Sequence, residues 1–121
     1  MNKIAIIDDE KDILEVLETF LKRSGKVDVS AFNNPLDGLA NVQKGGYDLV
    51  LLDIMMPQMD GIEVLQKIKE TNPEVEVIMM TAYTTLERTI DAHKYGAKSY
   101  LTKPFESLKQ VQEKVFKILD I

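Results

Sequence analysis

Asp53 ends the apolar run Leu49-Val50-Leu51-Leu52, and Asp8-Asp9, Thr81 and Lys103 stand at the ends of three other apolar runs. A run that is apolar at every position reads as a strand buried on both faces. A carboxylate at its end sits at a sheet edge, partly out of bulk water, where its charge needs a proton, a cation or a metal. Carboxylates crowded together also repel one another. The chain has no cysteine and a single histidine, so the fitting compensator is a hard, oxygen-loving cation. Mg²⁺ suits such a place, with Mn²⁺ as a substitute, because it takes one or two carboxylates, keeps waters and draws further oxygens from a phosphate. A carboxylate can also act as a nucleophile and form an acyl phosphate. That transfer needs positioning and neutralisation of the equatorial oxygens, which a divalent cation, Lys103 and the Thr81 hydroxyl supply. Asp53 is the candidate nucleophile, with a small phosphodonor or a protein phosphohistidine as the source.

These residues act together only if the intervening elements bring them to one rim. Ile4-Ala5-Ile6-Ile7 reads as the first strand. A helix is expected after Asp12, with Ile13, Leu14, Leu17, Phe20 and Leu21 on one face and Gly25 as its C′ stop. Val27 to Ala31 alternates and reads as an edge strand. Asn34-Pro35 supplies an N-cap and an N1 proline for a second helix, which Gly45-Gly46 ends. The third strand runs from Asp48 to Asp53. Asp60-Gly61-Ile62-Glu63 resembles a capping box opening a third helix, which ends at Asn72-Pro73. Val75 to Met80 is the fourth strand, with Thr81 just past it. A fourth helix opens at Thr84-Thr85-Leu86-Glu87 and closes at Gly96; its apolar residues are chiefly Leu86 and Ile90. Ser99-Tyr100-Leu101 forms the fifth strand, and the last helix carries Leu108, Val111, Val115, Ile118 and Leu119.

Alternation of strand and helix with short links predicts an α/β domain, a parallel sheet covered by helices on both faces, with right-handed crossovers. In such a sheet the strand ends meet at one rim, near the topological switch point. Asp8, Asp9, Asp53, Thr81 and Lys103 are then spatial neighbours. At 121 residues the chain reads as a single domain, 1–121, large enough for a proper core. Its net charge of −5 speaks against direct nucleic-acid binding by a basic surface and against anionic membrane. The opening apolar run is too short for a leader or a membrane span, so a cytoplasmic protein without membrane insertion is expected.

The motifs in order resemble a response-regulator receiver domain of two-component signalling, similar to the chemotaxis response regulator and the sporulation phosphorelay regulators. The resemblance rests on Asp8-Asp9-Glu10, on Asp53 followed by Met-Met-Pro-Gln-Met-Asp-Gly, on Thr81-Ala82, on Gly96-Ala97, and on Tyr100 with Lys103-Pro104-Phe105. It covers essentially the whole chain. It implies a flavodoxin-like strand order 2-1-3-4-5 with five helices. It implies Asp53 as phosphoacceptor, Asp9 and Asp53 as direct Mg²⁺ ligands, Asp8 acting through water and the Met55 carbonyl as a further ligand. Thr81 and Lys103 would hold the phosphoryl oxygens, and Lys103-Pro104 would be cis. Thr81 and Tyr100 would switch an output face built from helix four, strand five and helix five. A sensor histidine kinase or histidine phosphotransfer protein would be the partner, acting on a monomer or a phosphorylation-dependent dimer. The chain would catalyse its own modification and turn over no external substrate.

Each residue alone has a plainer reading. Asp8, Asp9 and Asp12 could serve a helix N-terminus, Asp53 a turn before Pro57, Thr81 a cap or loop, Lys103 the solvent, and Tyr100 the core with its hydroxyl at the surface. Met55, Met56, Met59, Met79 and Met80 read as core and loop packing, and His93 as an exposed helix residue. Two other functions use similar architecture. Haloacid-dehalogenase-like phosphotransferases usually carry a second Asp two residues after the nucleophile, where this chain has Met55. A flavodoxin-like FMN module needs a phosphate loop where this chain has Asp8-Asp9-Glu10-Lys11. Met55 and Tyr83, each two residues past a site residue, are expected to flank the phosphoryl group and hinder water, giving a long-lived acyl phosphate.

Overall fold

The three central strands are apolar along most of their length, and the fold follows from burying them between helices. The computed structural model describes residues 1–82 and 86–121; the side chains of 86–89 lie outside that description, as does the expected opening of the fourth helix and Tyr83. The elements run β1 (Asn2–Ile7), α1 (Lys11–Arg23), β2 (Val27–Phe32), α2 (Pro35–Gln43), β3 (Leu49–Asp53), α3 (Gly61–Thr71), β4 (Glu76–Thr81), α4 (Leu86–Lys94), β5 (Ser99–Thr102) and α5 (Leu108–Leu119). All strand pairs are parallel, in the order β2-β1-β3-β4-β5. The order reverses at β1, because the chain steps outward to β2 and then returns to β3 on the other side of β1. This is the switch point at which α/β sheets hold ligands.

The period-2 alternation of the strands divides the core into two layers. Ala5, Ile7, Val50, Leu52, Val77 and Met79 pack with residues of α2 and α3 on one face. Ile4, Ile6, Leu49, Leu51, Ile78 and Met80 pack with α1 and α5 on the other. Asp53 shares the parity of Leu49 and Leu51, and Thr81 that of Val77 and Met79. The two therefore leave the sheet toward opposite layers.

Several element ends differ from the sequence expectation. α1 begins at Lys11, so Asp12 lies inside its first turn rather than before it. Thr81 is the last residue of β4 instead of its successor, because β5 extends to Thr102 and pairs with it. The Asp60 side chain accepts from the Ile62 N–H, one residue short of the capping-box partner Glu63. Ile90 is exposed, and the described side chains of α4 are anchored by Ala92. Met55 is exposed, whereas Met56, Met79 and Met80 are core. In α5 only Val111 and Val115 are fully inside; Leu108, Ile118 and Leu119 are partly buried against them.

Candidate functional site

The sheet register sets the site level. Ile7 pairs with Leu52, so Asp8 and Asp53 emerge side by side from adjacent strands. The Asp8 N–H donates to the Phe32 carbonyl at 3.1 Å, holding the exit of β1 against the end of β2. The Ile54 N–H donates to the Met80 carbonyl at 3.0 Å, and the Lys103 N–H to the Thr81 carbonyl at 2.8 Å, extending the ladders past Asp53 and into the turn after β5. The Lys103-Pro104 peptide is cis.

Gly61 closes the loop after Asp53. Its N–H donates to the Ile54 carbonyl at 2.8 Å. A Cβ on Gly61 would collide with the Asp53 carbonyl oxygen and lie 2.7 Å from the Ile54 Cα. Only glycine admits this close backbone approach.

Four polar residues are buried here: Asp8 at 0%, Asp53 at 3%, Thr81 at 2% and Lys103 at 8% exposure. The Lys103 ammonium binds Asp8 Oδ2 at 2.6 Å, Glu10 Oε1 at 3.2 Å and lies 3.5 Å from Asp53 Oδ2. One carboxylate oxygen from each of Asp8, Asp9, Glu10 and Asp53 falls within 4.8 Å of the others. Burial pushes the Asp53 carboxyl up from 3.8 to about 7, and the Asp8 charge pushes the same way; Lys103 and the Met55 N–H, at 3.4 Å from Oδ1, pull it down. For Lys103, burial works to lower the pKa, but the hydrogen bond and charge of Asp8, helped by Asp53, hold it above the ordinary lysine value.

Sequence reasoning placed Asp8, Asp9, Asp53 and Lys103 together, and they are together. Thr81 ends the strand next to Asp53, facing the other layer. Thr81 and Tyr100 both line a cavity of about 240 Å³, with Ile54, Met79, Ala92 and His93 on its walls. Tyr100 is 47% exposed, not core. Met55 donates its backbone N–H to Asp53 Oδ1 at 3.4 Å, and the residue is 58% exposed. The residue that sequence reasoning left without a role is Glu10. The only signal for it was its place in the acidic run after β1, and nothing in that run says that its carboxylate reaches the lysine after β5.

Residues 4–116 match the family model for the response regulator receiver domain. The chain belongs to this family. Among curated relatives, the transcriptional regulatory protein ZraR of Klebsiella oxytoca is 41% identical over 103 residues, covering 85% of this chain and 23% of the relative. The uncharacterized transcriptional regulatory protein YkoG of Bacillus subtilis is 39% identical over 103 residues, covering 85% of this chain and 45% of the relative. The receiver domain thus spans less than half the length of these two regulators. Among solved structures, a CheY-like receiver domain protein from Methanospirillum hungatei superposes with a TM-score of 0.94 at 31% identity, covering 99% of this chain and 94% of that one. The BeF3-activated receiver domain of DrrB, from Thermotoga maritima, superposes with a TM-score of 0.89 at 33% identity, covering 100% and 99%. The receiver fold and its place in two-component response regulators are therefore shown for this chain.

Proposed function

We propose that Asp53 of this receiver domain is the phosphoacceptor of a two-component relay. The observation that carries the reading is the buried Lys103 ammonium shared by Asp8, Glu10 and Asp53 at the switch point. The donor set is oxygen-only and crowded, and one lysine cannot neutralise it, so the residues fit a hard divalent cation. Asp8, Asp9 and Asp53, with the Met55 carbonyl, would hold Mg²⁺, or Mn²⁺ in its place. When bound, the ion supplies charge neutralisation to the carboxylates and to the transferring oxygens.

The nucleophile must be ionised. In the metal-free protein Asp53 holds its proton up to about pH 7, and a cation beside it favours the carboxylate. An Asp53 oxygen attacks phosphorus, the phosphorus–nitrogen bond of a phosphohistidine breaks, and the leaving imidazole takes a proton from solvent. Lys103 then pairs a phosphoryl oxygen, and the Thr81 hydroxyl donates to another. Thr81 reaches that position from the layer it shares with Tyr100, through the cavity they both line. Tyr100 moving into this space would carry the change to the face formed by α4, β5 and α5. Among the described side chains of α4 only the small Ala92 is buried, which suits an element whose position can be biased.

A sensor kinase or phosphotransfer protein supplies the group, and no external substrate is turned over. The net charge of −5 disfavours direct nucleic-acid contact by this chain. Among the described residues no helix is long and apolar enough to cross a membrane, and the reading places the domain in the cytoplasm, as a monomer or a phosphorylation-dependent dimer.

Intact mass after incubation with acetyl phosphate tests the reading. One phosphoryl adduct should form with Mg²⁺, fail to form in chelator and be lost in Asp53→Asn. An adduct that survives in Asp53→Asn would move the acceptor elsewhere. The adduct should also persist, because the exposed Met55 side chain crowds the path of an attacking water and offers it no acid or amide. Tyr83→Glu should speed its loss if Tyr83 does the same. Decay of the wild-type adduct within seconds, in Mg²⁺ buffer, would defeat this expectation.

A further inference from the structure

Glu10 is a poor choice for where it stands. It is the N-cap of α1, a position that favours Ser, Thr, Asp or Asn, and its side chain makes no capping hydrogen bond. Its backbone N–H donates to Asp8 Oδ1 at 2.9 Å. Its carboxylate turns instead to the Lys103 ammonium at 3.2 Å, while remaining 57% exposed. The helix dipole favours an acid at this end, but the direction that the Glu10 carboxylate takes is explained by the lysine and not by the helix.

An ammonium has three N–H donors and no acceptor. Asp8, fully buried and at 2.6 Å, holds Lys103 firmly; Asp53 lies beyond hydrogen-bonding contact of that quality, at 3.5 Å. A phosphoryl group on Asp53 would bring about two negative charges beside this lysine. The ammonium would then face Asp8, Glu10 and the phosphoryl oxygens together. Asp8 has no water to retreat to, whereas Glu10 does.

We infer that Glu10 is a positioning residue: an exchangeable clamp that holds the Lys103 ammonium in the resting site and competes with the incoming phosphoryl group for it. On phosphorylation Glu10 swings into solvent, and Lys103 turns the released N–H to the phosphoryl oxygen. The clamp keeps the lysine ordered and makes weak anionic ligands compete for it. This inference rests on the function proposed for Asp53.

Two variants separate the clamp from its alternatives. Glu10→Gln removes the charge. Glu10→Asp keeps the charge, shortens the arm by one methylene and withdraws it from Lys103. At saturating Mg²⁺, both variants should bind beryllofluoride about two- to fivefold more tightly than the wild type, the range an exposed ion pair supports. Both should shift the ¹⁵Nζ resonance of Lys103 in the metal-free protein, a signature that helix capping alone does not produce. Tighter binding in Glu10→Gln but not in Glu10→Asp would overturn the clamp in favour of a general field effect. An unmoved Lys103 resonance, or unchanged affinity in both variants, would overturn it as well. So would a loss of Mg²⁺ affinity of about tenfold or more in Glu10→Gln, which would assign the carboxylate to the metal. If the wild type itself takes neither beryllofluoride nor a phosphoryl group, the assignment of Asp53 fails first.

Discussion

Replacing Lys103 by methionine should destabilise the metal-free protein by about 3–5 kcal/mol at about pH 8, the usual result of stripping one partner from a buried ion pair. Methionine keeps the length and the apolar stem, so the loss reports the charge and not a cavity. What remains is Asp8 at 0% exposure and Asp53 at 3%, with Asp9 and Glu10 beside them and the Lys103 charge gone. The penalty should shrink on acidification. Lys103 is one of the groups that hold the Asp53 pKa down, so without it Asp53 takes up its proton at a pH above about 7. Protonation relieves the repulsion, and the stability of the variant should recover as pH falls. Urea midpoints at about pH 8 and about pH 5 check both statements. A variant as stable as the wild type at the higher pH would mean that solvent, and not Lys103, neutralises this cluster.

Asp53→Asn should act in the opposite direction. The folded-state pKa of Asp53 lies above its ordinary 3.8, at about 7. The native state therefore binds this proton more tightly than the unfolded chain. The contribution of this group to stability is full below about 3.8, falls as pH rises through about 7, and is flat beyond. The whole shift would correspond to about 4 kcal/mol. The open rim around Asp9 and Glu10 screens much of it, leaving about 1–2 kcal/mol. In chelator, Asp53→Asn should exceed the wild type by that amount at about pH 8 and match it at about pH 4. Mg²⁺ should stabilise the wild type by mass action, since it binds the folded site, and should do less for the variant. Equal stability curves for the two proteins across this range would show that Asp53 carries no burial penalty.

Much of this was legible in the chain. Apolar runs at Ile4–Ile7, Leu49–Leu52 and Val77–Met80 read as strands covered on both faces, because they are too short for helices and alternate with longer amphipathic stretches. Asn34-Pro35 and Gly25 marked helix ends through backbone preferences that act locally, and the structure has both. Chemistry-bearing residues at strand ends share one edge of any parallel sheet, so Asp8, Asp9, Asp53 and Lys103 could be grouped at one rim from the sequence.

Tertiary structure decided the rest, because it depends on register and on side-chain reach across strands. The β1–β3 register makes Asp8 level with Asp53. Strand parity sends Thr81 to the layer of Tyr100 and away from that of Asp53. The partners of Lys103, and the part of Glu10 among them, follow from where a flexible arm ends, 93 residues away along the chain. Residue type and period determine which groups reach the rim. The strengths of their mutual fields are set by distances of a few ångströms and by burial, which no local pattern encodes.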